Sequence, residues 1–200
     1  MAEESKFVAE ALAAAQQVLR PPLSVDRGKA LLYAVTVDNN LELTVNPKRP
    51  VRGDSAFQTD LCVFEAKTVR SKTASGAKSE DILIPRVVLE FKSGISTHDV
   101  LTYSAKARKH KQVYPYLRYG LVVSNEAVVP GRFFIHNEAL DFFAALKNTK
   151  ATELQDFFSR LLEAEVETSR RLEQIAFGNL RPHLFRMEVE LTRSSPATAA

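Results

Sequence analysis

Two hundred residues suffice for one domain with a substantial core, and a content of 45% hydrophobic and 26% charged residues excludes a disordered or fibrous chain. A net charge of +3 does not by itself name a nucleic-acid partner, because a local basic patch, not the total, makes an attracting field. A single cysteine, Cys62, excludes an internal disulfide and fits a reducing compartment.

In chain order, the first residues lack the basic start and apolar run of a signal peptide. Phe7, Val8, Ala11, Leu12, Ala15, Val18 and Leu19 form one helical stripe, predicting a helix over 5–19 that Pro21 and Pro22 end. Residues 30–37 read as a strand or a short buried helix, and Asp38-Asn39-Asn40 as a turn. Residues 41–45 alternate like a half-buried strand before Pro47, Pro50 and Gly53 break the chain. The stretch 55–65 is rich in β-formers and predicts a strand holding Cys62 as a small buried side chain. A segment of low hydrophobicity, 67–81, reads as a long hairpin loop, and 83–92 as the strongest strand. Ser96 and Asp99 have capping-box spacing and should open a helix over 97–113. Residues 118–124 and 132–136 read as strands. Leu154, Phe157, Phe158, Leu161 and Leu162 start a helical repeat that extends toward Ile175. No stretch reaches the ~18 apolar residues of a membrane span, so a cytoplasmic protein with no membrane partner is expected.

This order predicts an α/β fold. Three successive strands should form an antiparallel meander. A strand–helix–strand step should then add a parallel neighbour through a right-handed crossover, giving a mixed sheet flanked by helices. One domain over 1–192 is expected, with its core at about 5–136 and a helical extension at about 137–180. A disordered tail should follow at 193–200.

The chemistry concentrates at Val88-Leu89-Glu90-Phe91-Lys92. Alternation on a strand places Glu90 and Lys92 on one face, where two charges ending an apolar strand cost desolvation unless partnered. Ser93-Gly94 then ends the strand. Asp60 likewise starts the apolar run Leu61 to Phe64. If the two strands pair antiparallel, Asp60 lies beside Glu90 and Lys92. Two carboxylates suit a hard cation such as Mg2+, which prefers oxygen ligands and keeps several waters. Asp60 and Glu90 would each supply an oxygen and the Phe91 carbonyl a third. Lys92 would orient a water or offset charge on a phosphate. Glu-x-Lys alone is common and carries no weight; Asp60, the Gly94 break and the capped helix give it meaning. Asp54 competes weakly with Asp60 for the acidic role.

With Asp60 and Glu90-Phe91-Lys92 in this order, residues 5–136 resemble the PD-(D/E)xK superfamily, the restriction-endonuclease-like nucleases. Thr59 stands where that pattern nominally has proline. The resemblance implies Mg2+-dependent hydrolysis of DNA phosphodiesters, with Mn2+ as a substitute. A stand-alone restriction-type or phage- and mobile-element-defence endonuclease is the expected setting. The alternatives are a repair or recombination nuclease acting on ends or structures, and a non-cleaving nucleic-acid module with the same fold. Gln112 and Tyr116 have the spacing of the Gln-x-x-x-Tyr motif of bacterial recombination helicase–nucleases, which makes Gln112 a candidate site residue, although Pro115 interrupts any helix there. Acids of the first helix, here Glu3, Glu4 and Glu10, could complete the metal site, as first-helix acids do in some members of the superfamily; solvated helix charge is the preferred reading. Lys106, Arg108, Lys109 and Lys111, together with Lys67, Arg70, Lys72 and Lys78, are expected to border the site and hold DNA phosphates. Such enzymes often dimerise, and the helices of 138–176 could supply a homodimer interface. Four histidines, His98, His110, His136 and His183, show no metal-ligand spacing.

Overall fold

Residues 2–53, 55–73 and 76–186 are described by the structure, a computed structural model. Asp54 and the tail at 193–200 lie outside the described residues, as do the side chains of Glu3, Lys72 and Lys78. Helix α1 (Ala2–Val18) is followed by β1 (Leu23–Arg27), β2 (Ala30–Leu32), β3 (Ala56–Gln58), β4 (Leu61–Thr73) and β5 (Gly76–Lys92). Then come α2 (Thr97–Val113), β6 (Arg118–Val123), α3 (Gly131–His136), β7 (Phe142–Ala145) and α4 (Ala151–Ala176).

The main sheet has the order β1-β4-β5-β6-β7. β4 pairs antiparallel with β1 and β5, and β6 pairs parallel with β5 and β7. β5 is central because Val87, Val88 and Leu89 are fully buried on both faces, as an apolar, β-branched run requires. On one face Leu61, Val63, Leu89 and Phe91 meet Val8, Ala11 and Ala15 of α1 and Phe158 and Leu162 of α4. On the other, Cys62, Val88, Tyr119 and Leu121 meet Val100 and Ala107 of α2. Leu154, Phe158, Leu162 and Val166 of α4 are thereby packed inside the chain, against α1 and the sheet. No helix among the described residues is long and apolar enough to cross a membrane.

The antiparallel pairing of the two strands and the strand–helix–strand step agree with expectation, and α2 spans Thr97–Val113 with both hydrogen bonds of the Ser96–Asp99 capping box formed. Elsewhere the fold departs from it. β1 is an added edge strand, and only three residues of 30–37 form a strand, β2, which pairs with β3 in a separate two-stranded sheet. Residues 41–45 contribute one isolated bridge, Val37 to Leu43. The stretch 55–65 breaks into β3 and β4 at Thr59-Asp60. Residues 67–81, expected as a loop, are paired strand almost throughout, down to Thr73 and Gly76. Such a two-stranded ribbon is solvated on both faces and needs no apolar alternation. Residues 132–136 lie in α3, not a strand: only Phe133 is buried, while Phe134 and Ile135 face solvent. β7 takes the place of that strand.

Candidate active site

Asp60 occupies the break between β3 and β4. Its backbone carbonyl accepts from Gly28 N–H at 3.2 Å, and its carboxylate Oδ2 accepts the Phe91 N–H at 2.8 Å. Gly28 has φ +69°, a left-handed conformation that glycine adopts without strain, and this turn brings its N–H to Asp60. Where β4 has ended, the Asp60 side chain thus continues the ladder with β5. Lys92 carbonyl accepts from Ser124 N–H on the β6 side. Phe91, one residue earlier, therefore directs both its N–H and its carbonyl to the opposite edge, toward Asp60.

Glu90 is 2% exposed. Its Oε1 accepts from Lys106 Nζ of α2 at 2.7 Å and from the Tyr119 hydroxyl of β6 at 2.5 Å. Burial pushes the Glu90 carboxyl above its ordinary range; Lys106 and Tyr119 pull it back, and the charge of Asp60 adds to the rise. The two carboxylates are therefore electrostatic neighbours. Each is fixed through one oxygen and keeps a second with lone pairs to offer. The Tyr103 hydroxyl is raised well above its ordinary value by burial, then by the charges of Glu90, Asp60, Glu4 and Asp99.

Lys92, at the end of β5, lies 4.0 Å from Glu4 Oε1 of α1. Its charge also helps to hold the Asp99 carboxyl low, where the hydrogen bonds of Ser96 outweigh burial. Glu4 is accordingly part of the acidic neighbourhood and not a freely solvated helix charge. Glu10 instead faces Lys6.

A cleft of about 520 Å3 opens beside Asp60 and Lys106, walled by Arg27, Arg52, Phe57 and Gln58. The basic residues expected from the sequence divide around it. On α2 only Lys106 reaches the acids. Arg108 pairs with Glu138, Lys111 is turned to Asp141 and the Ala139 carbonyl, and Lys109 is exposed. Lys67 and Arg70 are exposed on the ribbon, and Lys67, seven residues from Asp60, stands roughly 23 Å away at about 3.3 Å per residue. The ribbon leads away from the acids, so Lys67, Arg70 and the backbone of Lys72 do not border them; the expected loop between the two strands would have folded back. Gln112 is exposed one residue before the end of α2. It lies six residues past Lys106, roughly 9 Å along the helix, toward the start of β6, so the structure does not bring it to the acids. Tyr116 instead packs under the Arg86 guanidinium and against Phe177.

Sequence reasoning missed Tyr119, Arg27, Arg52 and the contact of Lys106 with Glu90. Tyr119 was detectable in principle, as the one polar ring on the α2-facing side of an otherwise apolar strand. Arg27 ends the short strand β1 and Arg52 lies in the bend before β3, placements that no periodicity reveals.

Among the described residues no group of three or more His, Cys, Asp or Glu side chains is disposed to hold a metal. The donors at hand are two carboxylates and a backbone carbonyl. That is too few for a closed structural site, but it fits a Mg2+ ion that retains waters. Cys62 is buried, with its thiol pushed up chiefly by burial. No protein-family model matches the chain, and no curated protein matches it.

Proposed function

We propose that the chain is a Mg2+-dependent endonuclease of the restriction-endonuclease-like type, hydrolysing phosphodiester bonds in DNA. The observation that carries this reading is the hydrogen bond from Phe91 N–H to Asp60 Oδ2, which joins the acidic end of β4 to the Glu90-Phe91-Lys92 segment at an open edge. Asp60, Glu90 and the Phe91 carbonyl would hold the ion, which when bound supplies Lewis acidity and a water of lowered pKa. Lys106 and Tyr119 fix the rotamer of the buried Glu90. Lys92, flanked by Glu4, orients the attacking water or offsets charge growing on the phosphate. Arg27, Arg52 and Lys106 give the adjoining cleft the positive lining that a phosphate backbone requires.

Supercoiled plasmid incubated with Mg2+ or Mn2+ should be nicked or linearised. The Lys92→Ala variant should be slower by at least about 100-fold, the typical effect of losing one transition-state donor. Asp60→Asn should lose Mn2+ binding in calorimetry while keeping an acceptor for Phe91 N–H. Absence of metal-dependent cleavage of supercoiled, linear and single-stranded DNA, together with no Mn2+ binding by the folded protein, would exclude the proposal.

A further inference from the structure

We infer that the cleft beside Asp60 receives an unpaired nucleotide, stacking its base on Phe57 and holding its flanking phosphates with Arg27 and Arg52. The inference rests on the nuclease reading for its choice of DNA as ligand, and it adds which form of DNA is taken.

The lining has two chemistries. Among the described residues the charged groups are three cations, Arg27, Arg52 and Lys106, against one acid, Asp60. Arg27 donates to Ser5 Oγ and Arg52 to Gln58 Oε1, both at 3.3 Å. Among the described residues each guanidinium thus meets a neutral side chain, which leaves its charge for an anion. The same lining holds an aromatic wall. Phe57 is 36% exposed, lies stacked on Tyr33 with ring centroids 4.1 Å apart, and meets the His110 ring in a T-shaped contact at 5.9 Å. A large ring left a third exposed yet locked by two other rings is a pre-formed stacking platform. Aromatic rings interleaved with arginines are how proteins hold single-stranded nucleic acid without reading its sequence.

Size decides between strand forms. About 520 Å3 falls in the range of sites that enclose one small ligand, roughly 300–1,000 Å3, and is far short of a duplex. A paired base reaches such a site only by leaving its stack, at a cost of a few kcal/mol that an already unpaired base does not meet. Gaps, flaps and frayed ends should therefore bind better than continuous duplex.

The test uses the full chain in EDTA, so that binding is read without cleavage. The probes are two oligonucleotides carrying 2-aminopurine, one in a single-stranded flap and one inside a blunt duplex. The flap probe should bind about ten-fold more tightly, with its fluorescence quenched on binding. Phe57→Ala should abolish the quench and the preference, Phe57→Trp should keep both, and Arg52→Ala should weaken binding while keeping the quench. Equal affinity for the two probes, or a quench that survives in a folded Phe57→Ala protein, would overturn the inference. Retention by Phe57→Trp covers the case in which the alanine variant fails to fold. If DNA is never cut but the Phe57-dependent preference holds, the nuclease reading fails and this site stands. If closed duplex is cut and Phe57 has no effect, the reverse is true.

Discussion

Glu90 is the residue on which most of the site's electrostatics turns. A carboxylate removed from water beside a second carboxylate is costly unless cations and hydroxyls compensate it, and Lys106 and Tyr119 do so through a single oxygen. Removing one anchor should loosen the group without exposing it. Tyr119→Phe is therefore expected to weaken Mn2+ binding by about ten-fold or more, in line with the usual effect of deleting a partner behind a metal ligand. The same variant should also lower the urea midpoint, by the roughly 1–3 kcal/mol that a buried acceptor short of one donor costs. Titration calorimetry beside equilibrium unfolding checks the pair; an unchanged Mn2+ affinity would remove Tyr119 from the site. Asp60 and Glu90 were legible in the sequence because each is a lone charge at the end of an apolar run. Tyr119 could have been noticed as a polar ring in a buried strand, but its contact with Glu90 was not legible, since that depends on the parallel register that sets Glu90 opposite Leu121.

At the scale of elements, β4 and β5 form one long hairpin with two uses. Next to β1 and β6 it is sheet; beyond Glu65 and Ile84 it continues as a ribbon toward Thr73 and Gly76. Exposed Lys67 and Arg70 lie on that ribbon, away from the acids. On the proposed function they would touch the backbone of a long DNA and take no part in chemistry. Replacing both with alanine should lower the slope of log affinity against log salt by about 2 on a long duplex, at roughly 0.9 per phosphate contact. Cleavage of a short oligonucleotide should keep its rate. A slope that does not move would mean the ribbon stays off the DNA. The ribbon was invisible in the sequence because hydropathy reports burial, and strands wet on both faces leave no such mark. The confusion of α3 with a strand has the complementary cause: the three-residue apolar run Phe133 to Ile135 is too short to show its period.

Across the whole molecule, the small β2–β3 sheet is tied to the main body through His110. This side chain is fully buried; its Nδ1 bonds the Leu32 carbonyl at 3.0 Å, and its ring stacks on Tyr119. Burial holds its pKa down to about 4, against the pull of the Leu32 carbonyl and with the help of Lys106. A base whose folded value lies below its ordinary one binds protons more readily when unfolded. Its contribution is therefore complete above about pH 6.5 and is lost as the pH falls toward 4, by up to about 3 kcal/mol at 1.36 kcal/mol per pH unit. Unfolding of the wild type should show this loss, and His110→Gln should lack that portion; parallel pH curves would refute it. Register is held at another point. Between Val87, opposite Val63, and Pro85, opposite Phe64, Arg86 is an extra residue, and its guanidinium is clamped by Glu65 and Glu173. Since strand faces alternate, inserting or deleting one residue between this bulge and Glu90 would turn Glu90 into the α1–α4 core and present Phe91 to α2. Paired insertions or deletions on the far side would only lengthen or shorten the arm. Variation in length among descendants of this chain should therefore collect on one side of Arg86 and be purged from the other.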